Sequence, residues 1–402
     1  MPASLDTYDQ IPGLLRDVHP TAVTVLADPA VATQTVTERI RAQITRAGFA
    51  PTQVLTPTDG GIAAIASFAS KLSPGELVVG VGGGSTLDFA KLAATASRHP
   101  ELIRYLTAGQ RSGLVALGPS LGEHAEVLAV STTLGTGSEA GPVACFPYDG
   151  TKRLAMGECL RPRGALWVAE ATDTLPGPLV LDGVLEAIFR TVIPYTSDTL
   201  DLPEQDAAVE ELAGHLLIAG EELARHLATD QAAPAHWRLR VARLSAESQR
   251  GAINVGRSPY AVKCWALANE LSTVMGLAKM RAVAALWPVV WRRALQGDTR
   301  FGSAARIHRL WERLSHHAPW LAPQPDNGLE RLMQRWQIDH RVHLSPQLLH
   351  QVALRSVRSW GAGLPTLTRL SADDIAALLE EATEPTAPMA GSPKPLPAGV
   401  ST

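Results

Sequence analysis

Apolar residues in the first 170 or so positions come in short runs separated by stretches of helix length. From about position 179 they recur instead every three or four residues. The first pattern predicts buried parallel strands alternating with helices, and the second predicts an all-helical region. Residues 22–27, 53–55, 77–81 and 127–130 read as strands. Residues 61–72 and 85–97 read as helices covering them, the second with Leu87, Ala90 and Leu92 turned inward. Leu175-Pro176-Gly177-Pro178 closes the first pattern, because two prolines and a glycine stop local structure. Helices then follow to about Leu379, with breaks at Asp201-Leu202-Pro203, Gly256-Arg257-Ser258-Pro259, Ala322-Pro323 and Gly363-Leu364-Pro365. The expected organisation is an α/β domain over 1–176 and a helical domain over 177–383. The tail over 384–402 is rich in Pro, Ala, Gly and Ser, cannot bury a core and is expected to be disordered.

Candidate chemistry sits where strands end. The strand over 77–81 runs into Gly82, Gly83, Gly84 and Ser85, whose glycines allow a sharp turn and the close approach of an anion. Ser85 is expected to cap the following helix, whose free N–H groups and positive dipole end suit a phosphate. Alone, the turn is equally compatible with a tight connection and no ligand. A second polar glycine loop, Thr132-Thr133-Leu134-Gly135-Thr136-Gly137-Ser138-Glu139, follows the strand over 127–130. Two such loops at the carboxyl ends of strands are what a nucleotide crevice in an open α/β sheet requires. The Thr132 and Thr133 hydroxyls and the backbone from Gly135 through Thr136 and Gly137 to Ser138 are candidates to hold adenine, ribose and phosphate.

Composition narrows the partners. A chain of 402 residues that is 46% hydrophobic can form two domains with sizeable cores. Its net charge of −3 gives no reason to expect nucleic acid or a membrane surface, and no apolar run reaches spanning length. Cys145, Cys159 and Cys264 are widely spaced and odd in number, which suggests neither a disulfide framework nor a zinc knuckle. A cytoplasmic protein is expected.

The pair Gly-Gly-Gly-Ser-x-x-Asp-x-Ala-Lys (from Gly82) and Thr-Thr-x-Gly-Thr-Gly-Ser-Glu (from Thr132) resembles the iron-containing alcohol dehydrogenase family, a relative of dehydroquinate synthase, over roughly 12–382. The resemblance implies a dinucleotide-binding α/β domain, an all-α second domain, NAD(P) with a metal in the cleft between them, and a homodimer. Asp28 falls where that family's acidic residue favours NAD over NADP; a turn or helix-cap aspartate is the alternative. By the same likeness Asp88 lies toward the nicotinamide ribose. Lys152 contacts the cofactor ribose, unless it is simply a solvated lysine. Ser131 stands where the family has a proline.

The family's metal ligands can be sought by spacing. It places an aspartate ten residues beyond a Leu-Pro, a histidine four residues later, and two further histidines fourteen residues apart. Several N/O ligands hold a divalent cation while leaving a position for substrate. Counting from Leu175-Pro176 puts Glu186 and Arg190 at the first two positions. The run Cys264-Trp265-Ala266-Leu267-Ala268-Asn269 matches the family's Cys-His-x-Met-Ala-His, which puts Trp265 and Lys279 at the others. Arginine and lysine bring positive charge to the cation's place, and tryptophan cannot ligate. No catalytic metal is expected. Asn269 replaces a further cleft histidine; it can hydrogen-bond but cannot shuttle a proton.

Oxidation of an alcohol by NAD requires a base for the hydroxyl proton and a positive group for the developing alkoxide. Lys279 is a candidate for either role, Arg190 for bidentate binding of a substrate carboxylate with Glu186 orienting a cation, and Trp265 for a wall. Such a pocket suits a hydroxy acid, and a β-hydroxy acid would oxidise to a β-keto acid that readily loses carbon dioxide. The chain is similar in this to the metal-lacking branch found with daptide-type ribosomal peptides, which oxidatively decarboxylates a precursor's C-terminal threonine to an amino ketone. The implied substrate is a peptide or a small hydroxy acid. Other readings stay open: another NAD(P)-dependent alcohol dehydrogenase, a dehydroquinate synthase-like cyclase, or a catalytically degenerate NAD-binding scaffold. Glu186 and Arg190 also read as an i,i+4 helix pair, Trp265 as core and Lys279 as surface.

Overall fold

The computed structural model describes residues 3–108, 112–229, 231–250, 252–361, 363–367 and 369–383; the tail expected to be disordered lies outside them. The first half alternates strands β1 (Ala3–Leu5), β2 (Val23–Ala27), β3 (Thr52–Leu55), β4 (Leu77–Gly82), β5 (Leu114–Ala116) and β6 (Ala125–Ser131) with helices α1 (Ile11–Val18), α2 (Thr35–Arg46), α3 (Ile62–Ala69), α4 (Gly84–Arg98) and α5 (Leu102–Thr107). Strands β7 (Val143–Tyr148), β8 (Thr151–Met156) and β9 (Pro162–Leu166) follow. Six strands form one parallel sheet in the order β1-β9-β6-β4-β2-β3.

Strands β2 and β4 are buried along their whole length, as parallel strands covered on both faces must be. One face packs Leu87 and Phe89 of α4 with Phe68 of α3; the other packs Ile11 of α1 with Ile40 and Ile44 of α2. Each such apolar side chain, fully buried, contributes roughly 1.5–3 kcal/mol. This two-sided burial fixes the strand ends from which the glycine loops emerge.

Several features of this half exceed the expectation from sequence, β9 and α5 among them. The edge strand β1 with α1 was not anticipated; three residues pairing with β9 carry too little pattern to read. Residues 114–156 also contribute a small second sheet, β5-β8-β7, whose β7–β8 hairpin turns at Asp149 and Gly150, both at positive φ. That is the backbone of a tight two-residue hairpin turn.

The second half is helical: α6 (Gly177–Ser197), α7 (Pro203–Leu227), α8 (Ala235–Glu247), α9 (Lys263–Met275), α10 (Lys279–Leu295), α11 (Ala304–His317), α12 (Pro325–Arg335), α13 (Pro346–Ser356) and α14 (Ala372–Thr383). Its core joins Phe189, Trp287, Trp291 and Trp311 through successive edge-to-face ring contacts. All four of the breaks expected from sequence fall between helices. No described helix is long and apolar enough to cross a membrane.

Candidate active site

Gly82 pairs with Ser131 across β4 and β6, so the two glycine loops leave adjacent strands side by side. They touch. A Cβ on Gly83 would meet the Thr133 methyl at 3.1 Å, one on Gly84 the Thr136 methyl at 3.1 Å, and one on Gly82 the Thr86 side chain at 2.6 Å. The amide of Thr132 donates to the Gly82 carbonyl at 3.0 Å. Ser85 does not cap α4, contrary to expectation: the cap position is Gly83, with no side-chain bond, and Ser85 is the exposed second residue of the helix. A glycine cap leaves the first N–H groups of α4 open toward the cleft.

Below the loops is a buried polar knot. Lys91 is fully buried and donates to the Ser138 hydroxyl, the Ser138 carbonyl and the Val143 carbonyl, while pairing with Asp88 at 2.9 Å. Asp88 also accepts from the Ser138 hydroxyl at 2.5 Å and from the Cys145 amide at 2.8 Å. Asp88 and Ser138 thus both line the cleft and tie α4 to the second loop. Burial pushes the neighbouring Cys145 thiol up to about 11.

Helix α6 closes the other side. The Gly183 carbonyl lies against Gly135, and Arg190 donates from Nη1 to the Gly135 carbonyl at 2.6 Å. Gly137 is wedged between Gln249 and the Arg190 guanidinium. One edge of the Arg190 fork therefore holds the second loop, leaving Nε and Nη2 for a ligand. Burial lowers the Arg190 pKa, opposed by Glu186 and Glu139. Glu139, behind the loop, is buried, and its pKa is raised by that burial.

Together these walls enclose a cleft of about 840 Å³, lined by Asp28, Gly83, Gly84, Ser85, Asp88, Thr133, Thr136 and Ser138 on the sheet side. Glu186, Arg190, Trp265, Asn269 and Lys279 line it from the helices. Asp28, one residue past β2, accepts from the Ala30 amide at 2.9 Å and from the Thr86 hydroxyl at 3.5 Å, so it is both a turn aspartate and a cleft residue. Lys152 lines the cleft from β8, and its carbonyl accepts from Asn269 Nδ2 at 3.3 Å. Trp265 stands edge-to-face on Trp360, which holds it as a wall. Gly82, Thr132 and Gly137, expected to contact the cofactor, are not among the cleft's lining residues.

At the family's ligand positions Lys279 Nζ donates to Glu186 Oε1, with Glu186 nearly buried and Lys279 one-third exposed. The Glu186 charge acts on Arg190 as well. This donor set does not suit a divalent cation: its one carboxylate is taken by an ammonium, and Trp265 offers no lone pair. No group of three or more His, Cys, Asp or Glu that could hold a metal occurs among the described residues. A dinucleotide, in contrast, fits. Thr133 Oγ1 is buried without a partner beside the uncapped helix, which leaves a place for a ligand's hydrogen bond. Sequence reading missed Asp182 and Gln249. Asp182 precedes Glu186 by one helical turn and was findable by that spacing; Gln249 follows α8 and carried no signal.

An open parallel sheet with two glycine loops at the carboxyl ends of neighbouring strands, facing a helical half, is the arrangement from which α/β proteins bind nucleotides. Residues 4–167 match the iron-containing alcohol dehydrogenase family. That stretch is less than half of the chain, and over 95% of its length the chain shares the fold of an iron-containing alcohol dehydrogenase from Thermococcus thioreducens, with a TM-score of 0.75 at 16% identity and 98% of that chain covered. NADH-dependent butanol dehydrogenase A from Thermotoga maritima superposes with a TM-score of 0.78 at 16% identity, covering 95% of this chain and 97% of that one. The bifunctional aldehyde-alcohol dehydrogenase of Escherichia coli (strain K12) is 31% identical over 140 residues, 33% of this chain and 15% of that enzyme. An NADPH-dependent aldehyde reductase of the same organism is 27% identical over 242 residues, 58% of each chain. The chain thus aligns with less than two thirds of either curated relative.

Proposed function

We propose that this protein is a metal-independent, NAD-dependent dehydrogenase of a β-hydroxy acid, and that its substrate is the C-terminal threonine of a ribosomal precursor peptide, which it decarboxylates oxidatively. The observation that carries the reading is the Lys279–Glu186 ion pair in the cleft beside two intact nucleotide loops.

Bound NAD would supply the hydride acceptor. The α4 N-terminus, Thr133, Thr136 and the second loop would hold its phosphates and ribose, and Asp28 would favour an unphosphorylated adenosine ribose. Lys279, fixed by Glu186, keeps N–H donors for the substrate oxygen and stabilises negative charge developing there, the task a metal performs in other dehydrogenases. The free edge of Arg190 binds the substrate carboxylate and orients it. Once the hydroxyl carbon is a ketone, the bond to the β-placed carboxylate breaks. Its electron pair passes to the α-carbon, which takes a proton, and carbon dioxide leaves. Lys279 again supports the enolate oxygen.

Incubating the protein with NAD and a peptide ending in threonine tests this by mass. The expected product has lost two hydrogens and one carbon dioxide, with one NADH formed per peptide, and the carboxamide of the same peptide gives no decarboxylation. A product that retains its carboxyl group would show a plain dehydrogenase, and no NADH with any hydroxy acid would sink the enzymatic reading.

A further inference from the structure

Proton removal needs a base, and the lining of the cleft allows the candidates to be sorted. No histidine is among its lining residues. Four carboxylates are. Asp28 is engaged by the Ala30 amide and Thr86, Asp88 by Lys91, Ser138 and Cys145, and Glu186 by Lys279. A carboxylate already holding a cation or amide protons is a poor proton acceptor. Lys279, donating to Glu186, is placed as a proton donor. Cys145 is a thiol held by burial well above the physiological range.

Asp182 is the fourth carboxylate, and among the four lining carboxylates its side chain alone has no hydrogen bond or ion pair. It stands four residues before Glu186 on α6, hence on the same helical face, next to Gly183, whose carbonyl touches the second nucleotide loop. We propose that Asp182 is the general base that takes the substrate's hydroxyl proton, while Lys279 steadies the oxygen. The inference rests on the dehydrogenase reading but not on the identity of the alcohol. In the step the O–H proton passes to the Asp182 carboxylate, the C–H electron pair passes with its hydrogen to the oxidised nicotinamide, and a C=O bond forms. One alcohol and one NAD give one carbonyl compound, one NADH and one proton, which Asp182 then releases to water. The cleft's other charged groups are Asp28, Asp88, Lys152, Arg161, Glu186, Arg190, Arg257 and Lys279. Burial and the Glu186 charge both raise the Asp182 pKa, which makes it a stronger base than a solvated aspartate.

The test compares wild type with Asp182→Asn and Asp182→Glu by turnover and by infrared difference spectroscopy of the NAD complex. Asp182→Asn should lose about 10²–10⁴-fold in kcat, the range for a general base. NAD affinity should stay unchanged, Asp182→Glu should recover part of the rate, and added formate should rescue Asp182→Ala. The infrared spectra should show a carboxyl titrating above the ordinary aspartate range that Asp182→Asn removes. If wild type oxidises its substrate and Asp182→Asn stays within about threefold, the proposal is wrong while the dehydrogenase reading survives. If no alcohol is oxidised, the dehydrogenase reading fails, and the infrared titration alone decides whether Asp182 is a tuned acid. Absence of that signal overturns the proposal.

Discussion

Replacing Gly135 by alanine probes the joint between the second nucleotide loop and the helical domain. Gly135 has a φ of +84°, and a Cβ there would sit 2.0 Å from the Gly183 carbonyl oxygen and 3.0 Å from the Glu186 Cβ. Left-handed backbone costs a non-glycine residue about 1–2 kcal/mol. Forcing a methyl group into packed surroundings costs about 1–3 kcal/mol more. Gly135→Ala should therefore lose about 2–5 kcal/mol, a large part of a typical stability of roughly 5–15 kcal/mol. The oxygen belongs to a helix backbone and cannot rotate aside, so the loop must move and the Arg190 bond to the Gly135 carbonyl is strained. Gly150→Ala is the control, because Gly150 also has positive φ, at +64°, but nothing lies within 4 Å of its Cβ position. Urea unfolding and NADH fluorescence titration of both variants give the comparison. If Gly135→Ala is no less stable than Gly150→Ala and binds NADH as wild type does, α6 does not clamp the loop and this account of the cleft is wrong.

Two further substitutions probe the same walls. Glu139 has its pKa raised above the ordinary 4.5 by burial, so folding favours its protonated form. Its stabilising contribution is complete below about pH 4.5 and is lost as pH rises through the folded value; Glu139→Gln should remove that decline, and identical pH dependence of unfolding in the two proteins would refute this. Thr133→Val removes the buried hydroxyl that lacks a partner. It should leave the apo protein's unfolding midpoint in place while weakening NADH by about 3–10-fold, the equivalent of a hydrogen bond of roughly 0.5–1.5 kcal/mol; unaltered affinity would take Thr133 out of the binding site.

The parts of the fold visible in sequence are those whose cause is local. Leu77–Gly82 is apolar because both faces of its strand are covered, and the glycines after it mark the turn. The helical half showed itself by period, and its breaks by proline and glycine. The strands β1 and β5 are three residues each and pair far along the chain, Ala3 with Gly164 and Leu114 with Leu154, so they stayed hidden; β7 and β8 form a local hairpin whose turn, Asp149-Gly150, is visible in the sequence. The site divides in the same way. Spacing brought Glu186, Arg190, Trp265 and Lys279 to attention, and the structure brings all four to one cleft. It could not show that Glu186 holds Lys279, that Arg190 spends one edge on Gly135, or that Asp182 is left free. Those facts depend on the approach of α10 and the second loop to α6, a tertiary relation with no short-range signal.

Replacement of a metal by an ion pair is the claim on which the rest depends, and a single-turnover experiment bears on it most directly. NADH formation is followed after mixing exhaustively chelated wild-type protein, and Lys279→Met alongside it, with NAD and a peptide ending in threonine. The account predicts a full turnover of NADH from the chelated wild-type protein, no gain on adding iron or zinc, and a loss of about 10²-fold or more in Lys279→Met, the scale of removing one oxyanion-stabilising donor. Loss of activity on chelation, restored by one equivalent of metal and indifferent to Lys279, would contradict it.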